Sequence, residues 1–327
     1  MKLISFLITV YNLDMWLLER CIDSLLMQDI DETDFEIVMI DDGSDVSVES
    51  ILQKYPNTAI RFYRQTNQGL GAARNKALSL AYGKYCFFVD GDDYLFANSL
   101  PSVVDCLRQD DPDILKTDFR NCYQKEPIQI TFPALKYRKY LSGCDYIKSH
   151  YLTGGNWIIF RKELAEKHQL SYPEKVLHED EEFIAKLFLF AETVIVSNRP
   201  VYAYYYRSES IVHHSSIKQE VKRLNDFLEI TNRLLSFSKQ YPLSNSQQEA
   251  IQRKIDFLGI DFLRKIMRTK TSEEYLKYYR PQLKQMNLYP PAYRSEGIKY
   301  HIFRIFVQSV SGRRILQLLD RYRTKKF

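Results

Sequence analysis

The acidic segment Asp90-Gly91-Asp92-Asp93 is the part of this sequence best suited to chemistry. It directly follows the apolar run Phe87–Val89, which is typical of a buried strand. Carboxylates this close together repel one another unless a cation lies among them. Their oxygens suit Mg²⁺ or Mn²⁺, and protein-bound Mg²⁺ commonly combines carboxylates with phosphate oxygens. Asp90 and Asp92 are therefore candidate metal ligands at a diphosphate site, and a solvated acidic turn is the alternative.

Two further polar segments also follow apolar runs. In Asp41-Asp42-Gly43-Ser44, a carboxylate could accept hydrogen bonds from a nucleobase imide or a ribose hydroxyl, and Asp42 is preferred over Asp41. An Asx turn is the alternative for this segment. The segment Thr9-Val10-Tyr11-Asn12 could bracket the same base through hydrogen bonds and stacking, although a plain turn after a strand would look similar.

The segment Gly69-Leu70-Gly71-Ala72-Ala73-Arg74 half-matches the dinucleotide-binding fingerprint. The match is misleading, because the segment follows the third apolar run rather than the first and Arg74 replaces a small residue. We instead predict a loop in which Gly71 lets the backbone approach a nucleotide. Arg74 would lie near phosphate or be paired structurally with an acidic loop.

The third acidic segment, His178-Glu179-Asp180-Glu181-Glu182, precedes apolar residues at helical spacing. Acidic residues in a first helical turn complement the helix dipole, which explains most of this segment without a function. A hydroxyl that displaces a diphosphate must, however, lose a proton to a base within hydrogen-bond reach. Asp180 is the preferred base and Glu179 the second candidate.

These segments need a scaffold that brings them together. The first third of the chain alternates apolar runs with amphipathic stretches, which predicts βαβ units and a mostly parallel sheet flanked by helices, the α/β class with a Rossmann-like nucleotide-binding half. Because ligands of such sheets bind outside the carboxyl ends of the strands, the polar segments should converge on one edge. The predicted strands are 3–10, 35–40, 60–63 and 85–89, and the predicted helices are 16–28 and 71–82.

The remainder of the chain is predicted to differ in character. Strands are expected at 114–119 and 193–197, followed by the aromatic run 202–206, and residues beyond 215 are predicted to be helical. We therefore predict a catalytic domain at 1–214, with a nucleotide-binding half (1–112) and an acceptor half (113–214). A basic helical region would follow at 215–327.

Charge and composition narrow the class of protein. Residues 215–327 carry 23 Lys/Arg and 10 Asp/Glu, net +13, whereas the preceding residues are net −8. An acidic catalytic part needs a cation to hold an anionic substrate, and a basic tail suits an anionic surface. The five scattered cysteines indicate no disulfide frame or zinc cage. With no long apolar stretch and no cleavable leader, we expect a soluble cytoplasmic protein with no nucleic-acid partner.

Taken together, the segments resemble a known family. ISFLITVYN, EIVMIDDGS, NQGLGAARNKAL, YCFFVDGDDYL and HEDEEF occur in the order and approximate spacing of the family 2 glycosyltransferases with the GT-A fold, over about the first 210 residues. The chain is most similar to the bacterial enzymes that build capsular polysaccharide, exopolysaccharide or lipopolysaccharide. The Q-x-x-R-W motif and the transmembrane helices of the polymerising members are missing, which favours transfer of a single sugar.

The resemblance implies an inverting transfer from a nucleotide sugar, often a UDP-sugar, assisted by Mg²⁺ or Mn²⁺. By motif, Thr9, Tyr11 and Asp42 would hold the nucleotide. Asp90 and Asp92 would form the D-x-D pair with Asp92 on the metal, and Asp180 would be the base.

Candidates for the acceptor side are fewer. Trp157 could stack on a sugar ring, with Asn156 and His178 beside it, although a core tryptophan next to a turn is the more common finding. His213 and His214 could bind metal or phosphate, or could be ordinary surface histidines. The acceptor is expected to be a saccharide or a lipid-linked molecule.

Two other functions, and the role of the C-terminal segment, stay open. A sugar-phosphate nucleotidyltransferase would use a related sheet, but it usually has a basic Gly-rich loop near the first strand, and residues 9–14 contain no Gly, Lys or Arg. A non-catalytic, membrane-associated nucleotide-binding protein would not need Asp180. The basic amphipathic segment 298–327 could lie on an anionic membrane, pack on the catalytic domain or form a homodimer.

Overall fold

The computed structural model describes residues 2–56, 60–207, 216–269, 271–291 and 298–324. The chain divides into two compact units, Met1–Ser216 and Ile217–Phe327. The strands of the first unit are β1 Ile4–Val10, β2 Phe35–Asp41, β3 Ile60–Arg64, β4 Tyr85–Asp90, β5 Tyr94–Leu95, β6 Ile114–Cys122, β7 Tyr137–Tyr140, β8 Ile158–Arg161 and β9 Val194–Tyr205. Its α-helices are α1 Met15–Leu26, α2 Leu70–Leu80, α3 Pro101–Asp110, α4 Gly143–Ser149, α5 Lys162–Lys167 and α6 Glu179–Phe190, with a 3₁₀ helix at Val48–Lys54.

The strands form one sheet in the order β3-β2-β1-β4-β8-β6-β9-β5, and β7 pairs with β9. β3, β2, β1 and β4 are parallel, as predicted for the nucleotide-binding half. β8 is antiparallel to both β4 and β6, so β6 runs in the same direction as β4, and β9 is parallel to β6. The carboxyl ends of β1, β2, β4, β6 and β9 therefore lie on the same edge.

Helix α1 shows how the sequence produces this arrangement. Its apolar residues recur at helical spacing, and Leu18, Cys21, Ile22 and Leu25 are buried in a core shared with alternate residues of β1, such as Phe6 and Ile8. Strands β1, β2 and β4 of the parallel half are buried on both faces, which explains their continuous apolar runs, whereas the edge strand β3 is only half-buried.

The structure confirms the predicted fold class and corrects several element bounds. The predicted helices extended to Gln28 and Tyr82, but α1 ends at Leu26 and α2 ends at Leu80. The predicted strand 193–197 and the aromatic run 202–206 are parts of the single strand β9. The sequence pattern did not reveal the short strands β5, β7 and β8 or the helices α3, α4 and α5, because elements of two to ten residues carry little periodicity.

The second unit is helical, as predicted for the region beyond 215. Its helices are α7 Ile217–Gln240, α8 Asn245–Arg268, α9 Ser272–Gln285, α10 Ile298–Gln308 and α11 Val310–Thr324. Ser244 begins α8 with a capping box, in which its side chain accepts from Gln247 N while the Gln247 side chain accepts from Ser244 N. Arg313 of α11 forms two 2.7 Å contacts with the carboxylate of Glu273 at the start of α9. None of the described helices combines the length and apolarity needed to cross a membrane.

The five cysteines all carry free thiols and are buried. Burial raises the pKa of the Cys106 thiol to about 12, with a further contribution from Asp110. Burial also raises the pKa of Cys21 well above its ordinary value.

Gly143, the first residue of α4, lies directly against the backbone of α6. A Cβ added to Gly143 would be 1.8 Å from the carbonyl oxygen of Phe188. Gly143→Ala should therefore lower the free energy of unfolding of the first unit by about 1–3 kcal/mol or more, because two backbones must separate. Both tryptophans, Trp16 and Trp157, belong to this unit, so urea unfolding followed by tryptophan fluorescence reports on it selectively.

Leu141→Ala is the matched control, since the Leu141 side chain is 91% exposed and only two residues away. It should change the free energy of unfolding by less than about 0.5 kcal/mol. Equal stability of Gly143→Ala and Leu141→Ala would contradict the contact between α4 and α6.

Candidate active site

The predicted site segments converge on one edge of the sheet. Thr9 is in register with Asp90 of β4, and Val10 is in register with Asp41 of β2. The backbone N–H of Asp42 also donates to the carbonyl oxygen of Val10 at 2.8 Å. Three loops, after β1, β2 and β4, are thus placed side by side.

Arg74 of α2 joins this edge to the start of α6. Its Nη2 contacts Asp90 Oδ1 at 2.9 Å and its Nη1 contacts Glu179 Oε1 at 2.6 Å. The Arg74 side chain is only 4% exposed. Burial lowers the pKa of Arg74, but the carboxylates of Asp90 and Glu179 outweigh burial and raise it above the ordinary value. The structure therefore shows the second of the two predicted roles, pairing with an acidic loop.

Asp92 and Asp93 are held by different partners. Asp92 Oδ2 contacts Arg207 Nη2 at 2.6 Å, and Arg20 Nη2 donates to the Asp92 carbonyl at 2.6 Å. Burial, and secondly the charge of Asp90, raise the pKa of Asp92, while Arg207 opposes the rise. Asp90 therefore places a second carboxylate charge close to Asp92.

Asp93 anchors the acidic loop from the inside. Its Oδ2 accepts from the Tyr202 hydroxyl and its Oδ1 from the backbone N–H of Tyr205, both at 2.7 Å. Burial, and then the charges of Asp92 and Asp90, raise the pKa of Asp93 well above its ordinary value. Since its oxygens already accept bonds from β9, Asp93 fixes the conformation that presents Asp90 and Asp92.

Asp180 lies at the beginning of α6, one residue after the Arg74 contact. A Cβ added to Gly154 would be 2.3 Å from Asp180 Oδ2, so a larger residue at this position would force the Asp180 carboxylate to shift. Asp180 Oδ1 accepts from Glu181 N at 3.0 Å, and the charge of Asp180 contributes to the raised pKa of Arg74. Asp180, Arg74 and Asp90 consequently belong to one electrostatic cluster.

Asp42 and Asp41, which were predicted to hold the nucleotide, are both buried and hydrogen-bonded to nearby loop residues. Asp42 is buried, and its carboxylate accepts from Gln65 Nε2, Gln68 N and Gly69 N at 2.7, 3.0 and 2.8 Å. It therefore holds the loop before α2, and its contact with a nucleobase stays a prediction. Asp41 is also buried; its Oδ1 accepts from Ser44 N at 2.9 Å.

The segment predicted at the end of β1 exposes two of its four residues. Thr9 and Val10 are buried, whereas Tyr11 and Asn12 are exposed. The Asn12 side chain is bonded to Asp45, with Asn12 Oδ1 accepting from Asp45 N at 2.8 Å. Tyr11 is therefore the side chain of this segment best placed to meet a ligand.

Two residues that were predicted to meet substrate make packing contacts within the protein. Gly71 approaches the protein itself, because an added Cβ would lie 2.2 Å from the Pro173 carbonyl oxygen. Trp157 stacks on Phe119 with ring centroids 3.9 Å apart, and Gly155 lies against its six-membered ring. The structure thus favours the core-packing alternative for Trp157 over stacking on a sugar. Asn156 and His178 are half-buried, and His178 adopts a left-handed conformation before α6.

Arg20 and Arg207 were missed by the sequence reasoning. Arg20 lies within 4.1 Å of the Tyr205 ring centroid and 4.7 Å of that of Tyr94. Neither arginine belongs to a recognisable motif; the only signal for Arg207 is its place at the end of the run 202–206. His213 and His214 lie outside the described residues.

The chain is similar in sequence to known glycosyltransferases. Residues 5–167 match the family model described as Glycosyl transferase family 2. The uncharacterized glycosyltransferase EpsJ of Bacillus subtilis is 30% identical over 214 residues, covering 62% of this chain and 60% of EpsJ. The poly(ribitol-phosphate) beta-N-acetylglucosaminyltransferase TarS of Staphylococcus aureus is 27% identical over 216 residues, covering 65% of this chain and 36% of TarS.

Solved structures show the same fold. Residues 1–349 of S. aureus TarS in complex with UDP-GlcNAc superimpose with a TM-score of 0.66 at 21% identity, covering 99% of this chain and 92% of that one. The mannosyltransferase PcManGT of Pyrobaculum calidifontis, in complex with GDP-Man and Mn²⁺, gives a TM-score of 0.58 at 15% identity, covering 97% and 87%. These similarities show the GT-A fold. By sequence, the chain spans about three fifths of the length of the first curated relatives it matches.

The Arg74 bridge yields a prediction for stability. Arg74→Met should lower the free energy of unfolding of the first unit by about 3 kcal/mol, because it leaves the buried Glu179 carboxylate without its partner. Burial already raises the pKa of Glu179, and loss of Arg74 removes the charge that opposes this rise. A raised carboxyl pKa stabilises the fold at low pH, and that stabilisation is lost as pH rises through the folded-state pKa.

Urea unfolding at pH 5 and pH 8 tests this expectation. The loss for Arg74→Met should be larger at pH 8, and the double variant Arg74→Met/Glu179→Gln should recover part of it and become nearly independent of pH. A loss that is equal at both pH values and unchanged in the double variant would contradict the buried ion pair.

Proposed function

We propose that this chain, which belongs to glycosyl transferase family 2, transfers one sugar from a nucleotide diphosphate sugar to a hydroxyl group, with inversion at the anomeric carbon. One observation carries the proposal: Arg74 joins Asp90 of the D-x-D pair to Glu179, the neighbour of Asp180. Metal-binding carboxylates and a base are thereby assembled in one cluster, as the transfer requires.

A UDP-sugar is the donor that the comparisons favour. TarS, which shares the fold along nearly the whole chain, binds UDP-GlcNAc, whereas PcManGT binds GDP-Man. In our proposal, the nucleotide lies over β1 and β2, where Tyr11 is exposed. The Thr9 and Asp42 side chains are buried in the loops that support it.

The D-x-D pair fits a divalent cation that is shared with the donor. The described residues contain no group of three or more His, Cys, Asp or Glu side chains arranged to hold a metal by themselves. Asp90 and Asp92 nevertheless provide two carboxylates in a negatively charged site, which suits Mg²⁺ or Mn²⁺ when phosphate oxygens complete the coordination. Such a cation would stabilise the negative charge of the departing diphosphate.

Asp180 performs the proton transfer in this proposal. It accepts the proton of the acceptor hydroxyl, whose oxygen forms a bond to the anomeric carbon while the bond from that carbon to the diphosphate oxygen breaks. Arg74 holds the adjacent residue, Glu179, and Gly154 leaves room for the Asp180 carboxylate. Both contacts position the base and neither enters the reaction.

The acceptor class is proposed from the relatives. TarS is named for action on poly(ribitol-phosphate), and other members of the family are named for other acceptors, including cholesterol for a Borreliella burgdorferi relative. A saccharide or lipid-linked acceptor in the synthesis of a cell-surface polysaccharide, such as a capsule or exopolysaccharide, fits these names. The family match disfavours a nucleotidyltransferase, and the assembled base disfavours a non-catalytic protein.

Release of UDP or GDP from a panel of UDP- and GDP-sugars tests the reaction. Turnover should occur with one donor, require Mn²⁺ or Mg²⁺, and stop with chelator. Asp92→Asn should abolish turnover, whether or not Mn²⁺ or Mg²⁺ is added. Asp180→Asn should lower kcat by about 10²- to 10⁴-fold, as expected for loss of a general base, without weakening donor binding.

Asp105→Asn is the matched control, because Asp105 is an exposed carboxylate on α3 away from the carboxyl edge of the sheet. It should behave as the unmodified protein does. Turnover that is insensitive to chelator, or an Asp180→Asn variant with normal kcat, would refute the proposed mechanism.

We propose further that α10 and α11 bind an anionic membrane, where a lipid-linked acceptor would be found. Residues 298–327 carry eight Lys/Arg and one Asp/Glu. These two helices also expose six aliphatic side chains: Ile302, Ile305, Val310, Ile315, Leu318 and Leu319. A cationic helix with an exposed apolar face is suited to an anionic bilayer surface.

Flotation with phosphatidylglycerol vesicles should recover the full chain but not a chain ending at residue 297. Ile305→Asp/Leu318→Asp should also fail to float at unchanged length. Flotation that survives both changes would refute membrane binding, and a concentration-dependent dimer lost in the double variant would assign this face to a second copy.

A further inference from the structure

A pair of exposed tyrosines lies beside the acidic loop, and no predicted role includes it. Tyr123 is 68% exposed and Tyr206 is 39% exposed. Their ring centroids are 5.3 Å apart with the planes inclined at 43°. The backbone N–H of Tyr206 donates to the carbonyl oxygen of Cys122 at 2.8 Å, which fixes the two chain segments next to each other. We call Tyr123 and Tyr206 the tyrosine pair.

The sheet places the tyrosine pair on the same edge as the D-x-D loop. Tyr123 follows β6 and Tyr206 follows β9, and both strands run in the direction of β4. In the strand order, β6 and β9 lie on the opposite side of β4 from β1 and β2, where the nucleotide is proposed to bind. By strand order, the tyrosine pair therefore follows strands on the opposite side of β4 from those that lie under the proposed nucleotide.

Hydrogen bonds hold the pair close to the acidic loop. The residues flanking Tyr206 both contact that loop: Tyr205 N donates to Asp93 Oδ1 at 2.7 Å, and Arg207 Nη2 contacts Asp92 Oδ2 at 2.6 Å. The Tyr123 segment is linked to the same loop through Arg20 of α1. Arg20 donates to the carbonyl oxygens of both Lys125 and Asp92, at 2.8 and 2.6 Å. Tyr123 is thus two residues from Lys125, which Arg20 bridges to Asp92.

We propose that the tyrosine pair binds a saccharide ring of the acceptor. This inference rests on the proposed function and names its acceptor site. Tyrosine combines a flat apolar face with a polar hydroxyl, which matches a sugar ring that has one face of C–H groups and a rim of hydroxyls. Large aromatic side chains left exposed at a site are typical binding anchors, because little conformational entropy is lost when they are covered.

Other features of the site agree with this assignment. Trp157, the aromatic residue predicted for this role, is stacked on Phe119 instead. The tyrosine pair extends across the ends of two neighbouring strands, β6 and β9. A ring bound there lies one residue from Arg207, and therefore next to the carboxylate proposed to bind the metal with the donor diphosphate.

Saturation-transfer NMR on the full chain, with UDP and diamagnetic Mg²⁺ present, tests the inference. The probes are the methyl β-glycosides of glucose, galactose and N-acetylglucosamine, together with cellotriose and chitotriose. At least one probe should bind, and Tyr123→Ala/Tyr206→Ala should weaken that binding by about tenfold or more, as expected when an aromatic contact is lost. Tyr123→Phe/Tyr206→Phe should keep most of the binding, because the stacking faces remain.

Tyr82→Ala is the matched control: Tyr82 is 66% exposed but precedes β4, on the opposite edge of the sheet. It should bind the probes as the unmodified protein does. Binding of no probe, or equal binding by Tyr82→Ala and Tyr123→Ala/Tyr206→Ala, would overturn the inference.

UDP release from the donor sugar in water, measured on the same variants, separates this inference from the proposed function. Tyr123→Ala/Tyr206→Ala should hydrolyse the donor at the unmodified rate and show the KM for donor unchanged. Absence of hydrolysis in the unmodified protein would instead count against the proposed function itself, whatever the probes do.

Discussion

The buried guanidinium of Arg74 is the contact on which the architecture of the site depends. It lies between a carboxylate at the end of β4 and another at the start of α6, and these two elements are far apart in the chain. Burying a charge has a substantial desolvation cost, and only correctly placed partners offset that cost. The pairing therefore selects one relative position of β4 and α6, and that position sets where Asp180 stands with respect to the D-x-D loop.

A second set of contacts holds the acidic loop from the opposite side. Asp93 accepts bonds from Tyr202 and Tyr205, while Arg20 and Arg207 bind the backbone and the carboxylate of Asp92. Burial raises the pKa values of Asp92 and Asp93, and the charges of the neighbouring carboxylates add to the rise. A cation that arrives with the donor would find a site already shaped and still negatively charged.

The sequence was sufficient for the parallel half of the fold and for the edge on which the polar loops meet, because long apolar runs and helical spacing are local signals. It could not decide the role of Arg74, since Glu179 lies more than one hundred positions away and no periodicity connects them. Trp157 and Tyr123 illustrate the same limit: both are aromatic residues near strand ends, and only packing distinguishes the stacked one from the exposed one.

Because all five native thiols are buried, the surface presents no cysteine to thiol-directed reagents. Alkylating and disulfide-forming reagents act on accessible thiolates, and the cysteines here are both covered and, as for Cys106, shifted away from the thiolate form at neutral pH. A single engineered cysteine on an exposed loop would consequently carry a fluorophore or a spin label with high selectivity. The folded chain can therefore be labelled without first replacing its own cysteines. Two engineered cysteines would allow distances along the carboxyl edge of the sheet to be measured by spectroscopy.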